Sequence, residues 1–156
     1  MPTDRESPAG AAPRASRTVF HIDDDIVVTR MVAQQLELAG YQVISVNDST
    51  TAFEKLLGSQ ARVVLLDIMM PGKTGLELLD EIKEHDGGIQ VILLTGQVDL
   101  STTMHAMRHG AEACFFKPLN DFGPLLESLE LTFRKIDRWW SSLEELHGRR
   151  RALSTT

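Results

Sequence analysis

Along the chain, short apolar runs alternate with longer segments whose apolar positions recur every three or four residues. The runs cover residues 18–23 (TVFHID), 42–46, 63–66, 90–94 and 113–116. Several are apolar along their whole length, which marks strands buried on both faces of a sheet. Between them, residues 26–39 carry Val28, Val32, Leu36 and Ala39 at helical spacing, and Gly40 stops the pattern. Residues 49–57 read as a helix capped by Ser49 and closed by Gly58. Residues 74–85 place Leu76, Leu79 and Ile82 on one face and end before Gly87-Gly88, and residues 99–109 form a fourth helix stopped by Gly110. Five strands alternating with helices through short linkers predict an α/β fold, a parallel sheet sandwiched between helices.

The last segment follows a different rule. Phe122, Leu126, Leu129, Phe133, Ile136, Trp140, Leu143 and His147 step by four and three in alternation. This predicts one helix of about 25 residues with a heptad seam, longer than one domain face needs. Carrying the seam through Trp140 and Leu143 leaves large apolar groups in water, a patch that a monomer avoids. The expectation is a homodimer through this helix, or docking on a partner. Trp139 cannot share the seam with Trp140, so one tryptophan belongs at the rim. The divisions expected are therefore a disordered lead-in over residues 1–17, a domain over 18–133, and a helical extension with a basic tail over 134–156. The lead-in lacks the apolar core of a signal peptide, which implies a cytoplasmic protein.

Composition narrows the class. The chain has 156 residues, 16 basic and 22 acidic side chains, and a formal charge of −6. No stretch approaches the roughly 20 apolar residues that span a bilayer, so no membrane association is expected. A single cysteine, Cys114, excludes an intramolecular disulfide framework and a cysteine-based zinc cluster. The acidic balance argues against binding nucleic acid, and Arg149-Arg150-Arg151 reads as a solubilising tail. The charge is uneven, however: residues 19–133 hold 17 acidic and seven basic side chains, whereas residues 134–156 hold three acidic and six basic ones. So strong an excess of acid in the domain costs self-repulsion unless something cationic offsets it locally.

In open α/β sheets the functional crevice lies outside the carboxyl ends of the strands. Those ends carry Asp23 and Asp24 after the first strand, Asp67 after the third, Thr95 after the fourth and Lys117 after the fifth. Any one of them has an ordinary explanation, as a helix cap, a turn residue or a surface charge. Together they form a set of hard oxygen donors with a hydroxyl and an ammonium, which suits a divalent ion such as Mg²⁺ and a carboxylate that attacks phosphorus. The metal, lysine and hydroxyl would then neutralise phosphoryl oxygens.

The residues "IDDD", "LLDIMMPGKTGLELL", "VILLTG" and "FFKPL", in this order and spacing, resemble the receiver domain of two-component response regulators, the CheY-like fold. The resemblance covers Thr18 to about Phe133. It implies a doubly wound five-stranded sheet of order 2-1-3-4-5 and a phosphoacceptor switch, not a turnover enzyme, that acts only on its own phosphorylation state. Asp67 would accept a phosphoryl group from a histidine kinase or phosphotransfer protein. Asp24, Asp67 and the backbone carbonyl of Met69 would bind Mg²⁺ (or Mn²⁺), Asp23 would act through a water, and Thr95 and Lys117 would contact the phosphoryl oxygens. The Lys117–Pro118 bond would be cis, and Met69 and Gln97 would flank the phosphoryl group. Cys114 departs from the pattern, because the family places an aromatic switch residue there; it reads here as a small buried hydrophobe.

Two other readings fit the sequence less well. A haloacid-dehalogenase-type phosphohydrolase with Asp23 as nucleophile fits loosely, but it needs further acids at a strand end after Lys117, where the chain runs straight into Pro118 and the final helix, and it gives Asp67 no task. His105 and His109 stand four apart on the fourth helix and could clamp a metal, yet the sequence offers no third ligand, so a solvated helix face is expected. The output, whether a partner protein or a further domain, is not specified by these residues.

Overall fold

The computed structural model describes residues 17–97 and 99–154. The lead-in expected over residues 1–17 therefore lies outside the described residues except for Arg17. The elements run β1 (Thr18–Ile22), α1 (Ile26–Leu38), β2 (Gln42–Val46), α2 (Ser49–Ser59), β3 (Val63–Leu66), α3 (Gly75–His85), β4 (Gln90–Thr95), α4 (Leu100–Arg108), β5 (Ala113–Phe116) and α5 (Gly123–Ser154). The strands form one sheet in the order β2-β1-β3-β4-β5, and every pairing is parallel. This is the expected class and strand order.

Alternation along each strand sorts its side chains into two cores. Phe20 and Ile22 of β1, Val64 and Leu66 of β3, and Val91 and Leu93 of β4 pack beneath α2, α3 and α4. Val19, Val63, Leu65, Ile92 and Leu94 face Val32 and Leu36 of α1 and Leu125, Leu129, Phe133 and Ile136 of α5. The central strands are buried at every position, which is why their sequences are apolar without a period of two. Parallel strands placed this way bring all their carboxyl ends to one edge.

Two boundaries differ from expectation. α2 is capped by Asp48, whose carboxylate accepts the Thr50 N–H, and it runs through Gly58 to Ser59 before Gln60 turns left-handed at φ 59°. Gly58 faces open space, so the helix tolerates it at a propensity cost of only about 1 kcal/mol. Ser49, the expected cap, is instead buried and used elsewhere. α5 is one unbroken helix of 32 residues. Its buried residues are Leu125, Leu129, Thr132, Phe133 and Ile136, so the stripe facing the sheet is rotated away from Phe122 and Leu126, which are only partly covered.

Arg17 belongs to the folded unit. Its guanidinium pairs with Glu130 of α5 and lies over the Phe133 ring, 5.9 Å from the centroid, while the Tyr41 hydroxyl donates to the same Glu130 at 3.3 Å. Beyond Ile136 the helix leaves the sheet. Trp139 is 67% exposed and Trp140 47%, with Leu143 and Leu146 also exposed. Trp140 borders a groove with Leu56, Arg62 and Ile89, and Trp139 lines a neighbouring one with Gly88, Gln90 and Ile136; Trp139 is the more exposed of the two and so the one at the rim.

Candidate functional site

Three consecutive aspartates follow β1, and the fold gives them three different environments. Asp25 caps α1, accepting the Val27 N–H at 2.9 Å, which is the ordinary duty of an aspartate there. Asp24 is exposed. Asp23 is fully buried: its N–H donates to Val46, its Oδ1 accepts the Asp25 N–H at 2.9 Å, and its Oδ2 pairs with Lys117. Asn47 fixes this turn, its amide donating to the Asp23 carbonyl and to the Thr29 hydroxyl.

Asp67 lies one strand over, its N–H donating to the Ile22 carbonyl at 3.0 Å. The side chain is buried; Oδ2 is 3.3 Å from the Lys117 ammonium, and Oδ1 is buried without a hydrogen-bond partner among the described residues. Lys117 reaches both carboxylates because its backbone N–H donates to the Thr95 carbonyl, fixing the end of β5 beside β4. The Lys117–Pro118 bond is cis, as expected. Thr95 is fully buried, and its hydroxyl accepts the Gln97 N–H at 3.1 Å.

The charges act on one another. Burial pushes the Asp67 carboxyl above the ordinary carboxylate range, Lys117 pulls it back, and the negative Asp23 adds to the rise; Thr95 lies close enough to lower it slightly. Burial pulls the Lys117 ammonium down, but its pairing with Asp23 and Asp67 outweighs this and leaves it above its ordinary value. Two residues before Asp23, His21 is buried with neither ring nitrogen partnered. Burial lowers its pKa to about 4, with the attraction of Asp23 opposing and the repulsion of Lys117 assisting.

One carboxylate oxygen from each of Asp23, Asp24 and Asp67 lies within 4.8 Å of the others. Three hard oxygen donors, one with an orphaned buried atom, fit a divalent cation of the Mg²⁺ type, which takes oxygen ligands and retains waters. The expected Asp23, Asp24, Asp67, Thr95 and Lys117 are thus brought together at one sheet edge. Met69 is in the adjoining loop with its side chain in solvent. Gln97 is turned away, its amide donating to Asp99 at the start of α4. Cys114 is partly buried against the core under α4, and burial raises its thiol pKa.

Two supporting residues carried no clear signal in the sequence. Ser49 donates to the Pro71 carbonyl at 2.8 Å and accepts the Lys73 N–H at 3.1 Å, tying the loop after Asp67 to α2. Gly75 opens α3 directly against the end of β3: a Cβ there would meet the Asp67 carbonyl oxygen at 2.1 Å and the Ile68 Cα at 2.6 Å. Its detectable trace is its place just after Thr74, whose capping box with Glu77 starts the helix.

Residues 19–130 match the model of the response regulator receiver domain. The chain is 35% identical over 144 residues to the C4-dicarboxylate transport transcriptional regulatory protein DctD of Pseudomonas aeruginosa, covering 86% of this chain and 31% of that protein. This chain therefore spans about a third of that relative's length. The crystal structure of a CheY-like receiver domain protein from Methanospirillum hungatei superposes with a TM-score of 0.73 at 25% identity, covering 78% of this chain and 97% of that one. The solution structure of the beryllofluoride-activated NtrC4 receiver domain dimer gives a TM-score of 0.72 at 27% identity, covering 77% and 98%. No helix among the described residues is long and apolar enough to cross a membrane. Fold, strand-end chemistry and relatives agree, and the chain belongs to the response regulator receiver domain family of two-component systems.

Proposed function

We propose that Asp67 is the phosphoryl acceptor of this receiver domain and that a sensor histidine kinase or phosphotransfer protein is the donor. The observation that carries this is the unequal state of the two buried aspartates. Both oxygens of Asp23 are engaged, whereas Oδ1 of Asp67 has no partner. A carboxylate oxygen with a free lone pair can attack phosphorus. The bond from phosphorus to the donor nitrogen breaks as the bond to Asp67 forms, and the imidazole leaves with its electron pair. The same inequality disfavours the phosphohydrolase reading, which needs Asp23 as the nucleophile.

The other residues then have tasks of charge placement. Lys117, 3.3 Å from Asp67, supplies positive charge where the transferred group gains negative charge, and the Thr95 hydroxyl can donate to a phosphoryl oxygen. Asp24, Asp67 and the Met69 carbonyl would hold Mg²⁺ or Mn²⁺, with Asp23 acting through a water. When bound, the ion would supply positive charge that relieves the crowding of the three carboxylates. Phosphorylation would be read out through Thr95 and α4, with Cys114 filling less volume than an aromatic side chain at that position. In this reading the domain acts only on its own phosphorylation state.

The exposed row on α5 supports a second element of the proposal, a homodimer made through the helical extension over residues 134–156. Trp140, Leu143 and Leu146 lie in solvent on a helix that has left its own core. The output would come from a partner or from a further domain.

Incubation with Mg²⁺ and acetyl phosphate, followed by intact-mass measurement, tests the central point. Wild type is expected to gain the mass of one phosphoryl group, lost at alkaline pH, and Asp67→Asn to gain none. Retained labelling of Asp67→Asn would refute the assignment.

A further inference from the structure

The histidine pair at the end of α4, His105 in the helix and His109 as its C-cap, gains in three dimensions a neighbouring donor that its sequence lacks. His105 and His109 are one turn apart, their rings stacked with centroids 3.9 Å apart and planes inclined by 11°. Asp80 of α3 faces them, its Oδ1 lying 2.6 Å from His109 Nδ1. One ligand atom from each of Asp80, His105 and His109 lies within 4.8 Å of the other two. His105 Nε2 is buried without a hydrogen-bond partner. The side chains of Asp80 and His109 are each 43% exposed, so solvent reaches the cluster. It shares no residue with the three-aspartate cluster.

We propose that Asp80, His105 and His109 form a second metal site, selective for a borderline transition ion of the Zn²⁺ class and distinct from the oxygen-only site at the sheet edge. The donor set decides the ion. Two imidazole nitrogens and one carboxylate suit Zn²⁺, which takes nitrogen and oxygen ligands at about 2.0–2.2 Å and accepts water in a fourth position. Mg²⁺ prefers oxygen donors alone. The orphaned nitrogen is the second observation. A buried ring nitrogen with no partner is unfavourable, and Asp80 pairs with His109 while His105 Nε2 is left without a partner among the described residues. A metal ion satisfies both. The three donor atoms already lie within 4.8 Å of one another, and the bound ion would join α3 to the far end of α4.

The test uses the full chain without a polyhistidine tag, in Mg²⁺ excess so that the carboxylate cluster is occupied. Co²⁺ titration followed by visible absorption is expected to show one equivalent with d–d bands of a nitrogen- and oxygen-ligated ion and no thiolate charge-transfer band. Stoichiometric Zn²⁺ should displace it. Asp80→Asn, His105→Gln and His109→Gln are each expected to weaken binding at least about tenfold, whereas His85→Gln and His147→Gln retain it. Phosphorylation of His109→Gln by acetyl phosphate and Mg²⁺ verifies that this variant is folded. No Co²⁺ or Zn²⁺ uptake by wild type, or uptake unchanged in the His105→Gln/His109→Gln double variant, would overturn the proposal.

Discussion

The carboxyl edge of the sheet and the far half of α5 handle difficult groups in opposite ways. At the sheet edge, charges are buried and are met from within the fold: Asp23 by Lys117 and the Asp25 N–H, Asp67 by Lys117. On α5 beyond Ile136, large apolar groups are left about half exposed or more by the described residues. The first region is coupled to stability because each charge there depends on a neighbour. The second would be coupled to assembly if, as proposed, a second copy covers this face. Mutations in the two regions should therefore change different observables.

The largest expected effect on stability lies beneath the site. With His21 lowered to about 4, the unfolded chain binds a proton below its ordinary pKa of about 6.5 while the native state does not. Stability is then full above pH 6.5 and falls as pH drops towards 4, by about 3 kcal/mol in total. Asp67, raised by burial, works in the opposite sense, since the native state holds that proton at higher pH than the unfolded chain. His21→Leu removes only the histidine contribution. Urea unfolding between pH 7 and 4.5 in EDTA is expected to show a flatter profile for the variant; parallel profiles would break the link between burial and charge.

Next in size is Gly75→Ala, whose Cβ meets backbone and not a flexible side chain. Overpacking of this kind costs about 1–3 kcal/mol and moves α3 relative to Asp67. Both a lower urea midpoint and slower labelling by acetyl phosphate are expected. Ser49→Ala follows at about 1 kcal/mol, because it loses the contacts to Pro71 and Lys73 that anchor the same loop. An unchanged labelling rate in Ser49→Ala would show that the loop holds its position without this tether.

The smallest stability effect belongs to α5. Trp140→Glu is expected to change the urea midpoint by the equivalent of less than about 0.5 kcal/mol per monomer, as for exposed positions generally. Light scattering is nevertheless expected to show a shift from dimer to monomer, with a weaker shift for Trp139→Glu. If Trp140→Glu leaves the size unchanged, the contrast between the two regions fails on the assembly side.

Much of the fold was legible because it rests on local periodicity. The runs 63–66 and 113–116 are strands with the expected bounds, and Gly40 and Gly110 both take positive φ at the ends of α1 and α4. The five strand-end residues were legible as well, since a parallel sheet carries every strand's carboxyl end to the same edge. Local signals were weaker where two residues compete for one task, as Asp48 and Ser49 did for the cap of α2.

By itself, then, the sequence determined the element order, the edge where chemistry gathers and a final helix too apolar to end at the domain. Tertiary structure alone decided the pairings across long separations. Lys117 joins Asp23 across 94 residues, Ser49 holds Pro71 across 22, and Asp80 meets His109 across 29. No periodicity spans such distances. These contacts exist because strand order and helix packing place particular side chains together, so the third ligand of the histidine pair became visible only once α3 lay beside α4.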